Sequence, residues 1–162
     1  MRIGIGSDHN GFELKEEIKA FIEKTFAHEL VDYGCHSCDS VDYPDVAFDV
    51  SEAINEDKLD RGILICGTGI GVAIAANKYP GIRAALAHDT YSAERAQLSN
   101  NAQVITMGSQ IIGPEAAKKV VEAYLASVWA EGSKRKVDKI MKKEKEFFGG
   151  GLGITAAGTQ CR

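Results

Sequence analysis

Residues 61–78 read Arg-Gly-Ile-Leu-Ile-Cys-Gly-Thr-Gly-Ile-Gly-Val-Ala-Ile-Ala-Ala-Asn-Lys, and three kinds of local structure follow one another in that order. Gly62 to Cys66 is an apolar run short enough for one buried strand. Gly67-Thr68-Gly69-Ile70-Gly71 breaks it, and Val72 to Lys78 resumes as the start of a helix. Strand, glycine turn and helix together present free backbone N–H groups and the positive end of a helix to an anion. Three glycines in five positions are entropically costly, which points to close approach of a ligand or to unusual dihedrals. A buried structural turn is the plainer alternative. No Gly-Lys-Ser/Thr follows the glycines, so this is not a Walker A loop, and the spacing also fails the dinucleotide fingerprint.

Working outward, the same alternation recurs. Arg2 to Ser7 predicts a strand ending at Asp8-His9-Asn10-Gly11, and Phe12 to Phe26 predicts a helix through Leu14, Ile18, Phe21 and Ile22. Glu29 to Asp32 predicts a second strand, with a loop after it. Tyr43-Pro44-Asp45 opens a helix carrying Val46, Val50 and Ile54, with proline in its first turn. After the central unit come a strand over Ile82–Ala87, a helix over Tyr91–Leu98 and a strand over Gln103–Met107. A helix then runs from Pro114 to about Val128. Five strands alternating with helices specify an α/β fold, a Rossmann-like three-layer domain with a five-stranded parallel sheet. Ser133–Phe148 adds a Lys/Glu-rich C-terminal helix with a thin apolar seam, a pattern that packs on a neighbour or a partner chain. The domain is taken as residues 1–148, and 149–162 as a flexible tail with a functionless thiol at Cys161.

The length of 162 residues suits one domain with a proper core, and a net charge of −4 without a basic stripe argues against nucleic acid. No apolar run approaches a membrane span, and the chain starts directly with a strand-like segment, so a cytoplasmic protein is expected. The cysteines at 35, 38, 66 and 161 do not form a disulfide framework in a chain of this size. Cys35 and Cys38 read as loop thiols, since neither a second half of a zinc set nor a following helix is evident.

Ligands in parallel α/β folds gather at the carboxyl ends of the strands, so His9, Cys66, His88 and Gln110 should share one rim. A thiol there, beside free N–H groups, can be held as thiolate and act as base or nucleophile. Thr68 and the N–H groups of Gly67, Gly69, Ile70 and Gly71 could stabilise an oxyanion next to it. Asp8 and His9 could meet a polar ligand, although Asp8 could equally cap a helix. Lys134, Arg135 and Lys136 read as a solvated face unless the substrate is anionic.

Several ordered blocks carry a resemblance. Ser7-Asp8-His9, Val41-Asp42-Tyr43-Pro44, Ile65 to Gly71 with Ala75-Ala76-Asn77-Lys78, Gly81-Ile82-Arg83-Ala84, Asn100-Asn101-Ala102, Gly108-Ser109 and Ile112-Gly113 resemble the ribose-5-phosphate isomerase B family. That family also includes the galactose-6-phosphate isomerase subunits. The resemblance covers residues 1 to about 146. It implies a metal-free, cofactor-free aldose–ketose isomerase interconverting ribose 5-phosphate and ribulose 5-phosphate through a cis-enediolate, within the pentose phosphate pathway. It also implies a homodimer, sometimes paired again into a tetramer, whose sites use both chains.

On that resemblance Cys66 is the base, Thr68 and the glycine-loop N–H groups hold the oxyanion, and Asp8 and Tyr43 meet sugar hydroxyls. His9 would meet the phosphate, and Asn100 would reach in from the partner. Three departures stand out. The family commonly has histidine, which helps open the furanose ring, where this chain has Ser99, and arginine where it has Gln110. The arginine-bearing C-terminal stretch is replaced by the shorter Gly132-Ser133-Lys134-Arg135-Lys136. His88, at the end of the fourth strand and expected beside the strand of Cys66, is the candidate to replace the missing ring-opening group. A tetrose or hexose phosphate is the alternative substrate, and a non-catalytic sugar-phosphate binding protein is a third reading.

Overall fold

The computed structural model describes residues 1–36 and 40–149. Its elements are β1 (Arg2–Ser7), α1 (Phe12–Thr25), β2 (Glu29–Asp32), α2 (Tyr43–Asn55), β3 (Arg61–Cys66) and α3 (Ile70–Lys78). There follow β4 (Ala84–Leu86), α4 (Thr90–Asn100), β5 (Val104–Gly108), α5 (Pro114–Ala126) and α6 (Lys134–Gly149). The five strands form one sheet in the order β2-β1-β3-β5-β4, and every pairing is parallel.

Alternation along the strands divides the core between two faces. Ile3, Ile5, Ile63, Ile65, Ile105 and Met107 pack with Leu14, Ile18 and Ile22 of α1 and with α4 and α5. Leu64, Cys66 and Val104 pack with Val46, Ala47 and Val50 of α2 and Val72, Ala75 and Ala76 of α3. Because β3 is buried along its whole length, it reads as an uninterrupted apolar run. Consecutive units leave β1 and β3 toward opposite faces, α1 on one side and α3 on the other. The crevice between their loops is therefore the place where such sheets hold ligands.

Two expectations need correction. β5, not β4, lies beside β3, so the strand before His88 is one place removed from Cys66. The physical reason is burial: β5 is fully buried, whereas β4 is three residues long and Leu86 is exposed, which suits an edge. β4 is also shorter than expected, and side chains pair with the backbone at its start and just before it. Asn77 accepts from Ala84 N at 2.9 Å and donates to Ala84 O at 2.8 Å, and Gln103 accepts from Arg83 N at 3.0 Å.

Charged groups are buried where they close an element. The Arg61 guanidinium donates to the carbonyls of Tyr124 and Ser127 at 2.6 Å each, tying the end of α5 to β3. Lys15, with no exposed surface, meets Asp32 at 2.6 Å. Burial opposes ionisation of Asp32, but hydrogen bonds from Lys15, Lys19 and the Gly34 N–H outweigh it and hold the carboxyl below its usual range. That network fastens α1 to the end of β2, on the rim side. α6 lies against the body through Glu144, which accepts from Gly81 N, and Met141, beside Arg83; among its described side chains only Val137 is buried. It includes Gly149, which was expected outside the helix; residues 150–162, Cys161 and most of the expected tail among them, lie outside those described.

Candidate active site

The rim is assembled from the ends of β1, β3 and β5. Register places Ser7 opposite Ile65 and Cys66 opposite Gly108. The Cys66 side chain, 5% exposed, points to the face of α2 and α3, and its Sγ accepts from Gly69 N at 3.0 Å. Gly69 can make this bond because its backbone is left-handed, φ 78° and ψ −9°, a conformation that glycine alone adopts freely.

β5 holds the loop in that shape. Ser109 N donates to Cys66 O at 2.9 Å and Gln110 N to Gly67 O at 3.0 Å, so the loop carbonyls turn toward β5 and away from the crevice. Gly108 must be glycine for the same reason: a Cβ there would stand 2.5 Å from the backbone of Thr68.

Around the thiol, Thr68 is exposed and its Oγ1 accepts from Ile70 N at 3.3 Å. Of the four N–H groups expected to face an oxyanion, Gly69's thus points at sulfur and Ile70's at the Thr68 hydroxyl. Asp8 is buried and its Oδ1 accepts from Gly11 N at 3.0 Å. It orders the turn before α1, whose N-cap is Gly11, and so does not itself cap the helix. His9 is exposed, with Nε2 3.2 Å from Asn10 Nδ2. Tyr43, first in α2, lays its ring against Gly71, where a Cβ would meet ring carbons at 2.7 Å. Gln110 stands over Gly67, its amide carbon 3.5 Å from the position of a Cβ there.

His88 does reach the rim, where its partner is a backbone N–H. Its Nε2 accepts from Gly108 N at 2.9 Å, and Asp89 instead caps α4 by accepting from Ser92 N at 2.7 Å. The imidazole nitrogen facing Gly108 is therefore without a proton, and His88 pins the edge strand to the strand that shapes the loop.

Two groups of expected site residues are not brought to Cys66 within one chain. Asn100 is exposed at the far end of α4, a helix of 11 residues that begins at the rim and carries its last residue about 16 Å away. Lys134, Arg135 and Lys136 are exposed at the start of α6, with Lys134 paired to Asp138 at 3.3 Å. Cys35 is buried, its N–H donating to Ser7 O at 3.0 Å; Cys38 lies outside the described residues. Sequence reasoning missed Thr106, whose hydroxyl reaches Gly69 O at 2.8 Å, and Ser109, whose Oγ donates to Asn10 O at 2.7 Å. The one available signal for Thr106 was a hydroxyl in the middle of an otherwise apolar strand.

A thiol, a hydroxyl and a helix N-terminus at the carboxyl edge of a parallel sheet define the class of α/β proteins that hold small anionic ligands at a topological switch point. The chain belongs to the ribose/galactose isomerase family of sugar-phosphate isomerases, whose model matches residues 3–140. It is 48% identical to a ribose-5-P isomerase B of Listeria innocua, covering 85% of this chain and 93% of the relative. To a D-erythrulose-4-phosphate isomerase of Pectobacterium atrosepticum it is 47% identical, over 86% and 93%. The solved structure of Clostridium thermocellum ribose-5-phosphate isomerase B superposes with a TM-score of 0.88 at 43% identity, covering 91% of this chain and 99% of that one. Among the described residues no helix is long and apolar enough to cross a membrane.

Proposed function

We propose that the protein interconverts an aldose phosphate and its ketose, with Cys66 as the base that takes the proton from C2 and returns it to C1 through a cis-enediolate. The observation that carries this reading is the Gly69 N–H held 3.0 Å from Cys66 Sγ, because an N–H bond is stronger to a thiolate than to a thiol. Thr68, exposed beside it, is suited to the enediolate oxygen, with Asp8 and Tyr43 on sugar hydroxyls and His9 on the phosphate.

The substrate that best suits this site is a four-carbon sugar phosphate. A pentose phosphate closes into a furanose and must be opened by proton transfer. Ser99 cannot do this, and His88 is engaged through Nε2 with Gly108 N, a bond that protonation of that nitrogen would break. An aldotetrose esterified at its terminal hydroxyl cannot form a furanose and needs no such group. The Pectobacterium relative is named for such a ketose phosphate. Ribose 5-phosphate is the second reading, supported by the Listeria relative and by the place of His88 on the rim. Wild type and His88→Ala, assayed on ribose 5-phosphate and erythrose 4-phosphate, separate the two. The expected kcat/KM is about tenfold or more higher on the tetrose, since an uncatalysed ring opening forgoes the acid–base contribution, and His88→Ala should lower both activities alike. Preference for the pentose, with a His88→Ala loss confined to it, would reverse the assignment.

The working unit proposed is a homodimer in which Asn100 and the Lys134-Arg135-Lys136 run act in the partner's site. Ile70 and Ile74 on α3 are 51% and 57% exposed beside the crevice, and Ile140, Phe147 and Phe148 are exposed on α6, more apolar surface than a free helix pair ordinarily leaves to water. Sedimentation at micromolar concentration should give at least twice the chain mass of 17.4 kDa. A fully active monomer would remove Asn100 and the α6 cations from these roles.

A further inference from the structure

The carbonyl of Gly69 is a junction between two elements. It accepts the first hydrogen bond of α3, from Ala73 N, at a long 3.3 Å. It also accepts a shorter one, 2.8 Å, from Thr106 Oγ1. Thr106 has no exposed surface and stands between two equally buried apolar residues, Ile105 and Met107. In a strand buried on both faces a hydroxyl is costly unless paired, and this one is paired with the residue whose N–H faces Cys66.

The N-terminus of α3 lacks the usual internal device for fixing its first turn. Its N-cap is Gly69, which has no side chain to cap with. Glycine visits positive and negative φ with similar ease, so its left-handed state has to be imposed by the surroundings. The backbone of Met107 closes one side, 2.6 Å from where a Cβ would be, and the Thr106 hydroxyl fixes the other by holding the carbonyl. Rotating the peptide that follows Gly69 would break the Thr106 bond and the first bond of α3 together, and would loosen the conformation that aims the Gly69 N–H at Cys66 Sγ.

We propose that Thr106 is a positioning residue for Cys66: its hydroxyl locks the Gly69 carbonyl, and so keeps the Gly69 N–H on the sulfur. The inference rests on Cys66 being the base of the isomerisation, but its test does not need turnover. Thr106→Val keeps the shape and removes the donor, whereas Thr106→Ser keeps the donor. Carbamidomethylation of Cys66 by iodoacetamide, followed on the Cys66 peptide so that other cysteines do not contribute, is measured across pH together with kcat and KM.

In Thr106→Val, alkylation at neutral pH should fall about tenfold and recover at higher pH, the size expected from losing one buried hydrogen bond. Its kcat should fall by a similar factor with KM changed less than about twofold, and Thr106→Ser should stay close to wild type in both. Should the valine variant not fold, Thr106→Ala removes the same hydroxyl without bulk. Wild-type alkylation in the variant lacking the hydroxyl overturns the proposal, whatever happens to kcat, and so does a serine variant as impaired as the valine one. Turnover surviving in Cys66→Ala would instead remove the base assignment and leave the alkylation result standing, so the two failures are distinguishable.

Discussion

Replacing Cys66 by alanine should lower kcat by about two to four orders of magnitude, the range that a positioned general base contributes, while the protein stays folded. The sulfur is a small part of a cluster that also contains Val46, Val50, Leu64, Val72 and Ala75, so losing it leaves a cavity of little more than one atom and a stability cost near 1 kcal/mol. Circular dichroism and the melting temperature check the second half of this expectation, and single-turnover isomerisation checks the first. KM should move little, because the thiol is asked to act on the proton and not on the phosphate. An alanine variant with near-normal turnover would exclude Cys66 as base. Cys66→Ser is less decisive, since a hydroxyl held by the same Gly69 N–H could still orient a water molecule.

The parts of this site that could be read in advance are those written into neighbouring residues. The run Gly62–Gly71 announced a strand, a turn and a helix because burial, glycine and helix initiation each leave a local mark. α1, α2 and α5 were equally legible from apolar spacing and from proline at the starts of two of them. Strand order was not, since Ala84-Ala85-Leu86 and Val104 to Met107 each read as a strand, and only their difference in burial puts β5 inside and β4 at the edge. That one exchange changes what His88 does. Its ring reaches past its own strand to the Gly108 N–H, a contact between residues 20 apart that no local pattern encodes.

The same limit explains Thr106 and Lys15. Thr106 gains its meaning only when β5 lies beside β3 and the glycine turn folds over it. Lys15 falls among the charged positions of α1 and would ordinarily face water, yet it is buried because Asp32, at the end of β2, meets it. Residues whose role lies across the sheet were invisible, whereas residues whose role lies along the chain were not. Asn100 and the α6 cations carry this one step further, because the proposed partner for them is a second chain.

Gly69→Ala should be the most damaging single methyl addition in the molecule, in stability and in turnover together. The left-handed conformation at φ 78° costs about 1–2 kcal/mol for a residue with a Cβ. The added carbon would also stand 2.6 Å from Leu86 Cδ1 and 2.6 Å from the Met107 carbonyl carbon, with Met107 Cα at 2.8 Å. Leu86 is an exposed side chain at the sheet edge and can rotate away. Met107 cannot, because its backbone belongs to the fully buried β5 and is paired with Ile65. The loop must move instead, at a further cost of about 1–3 kcal/mol typical of overpacking. A total of about 2–5 kcal/mol against the usual 5–15 kcal/mol leaves a folded protein whose melting temperature drops by roughly 5–20 °C. Movement of the loop takes the Gly69 N–H off Cys66 and the Gly69 carbonyl off Thr106, so turnover of the folded fraction should fall about a hundredfold, the order seen when a positioned donor is lost from an active site. Gly132→Ala is the matched control: a Cβ there meets nothing within 4 Å, and the change should stay within about 0.5 kcal/mol. A Gly69→Ala protein that melts within about 2 °C of wild type and turns over at a similar rate would mean that the glycine turn adapts freely, and the left-handed geometry at Gly69 would then have no part in holding the thiol.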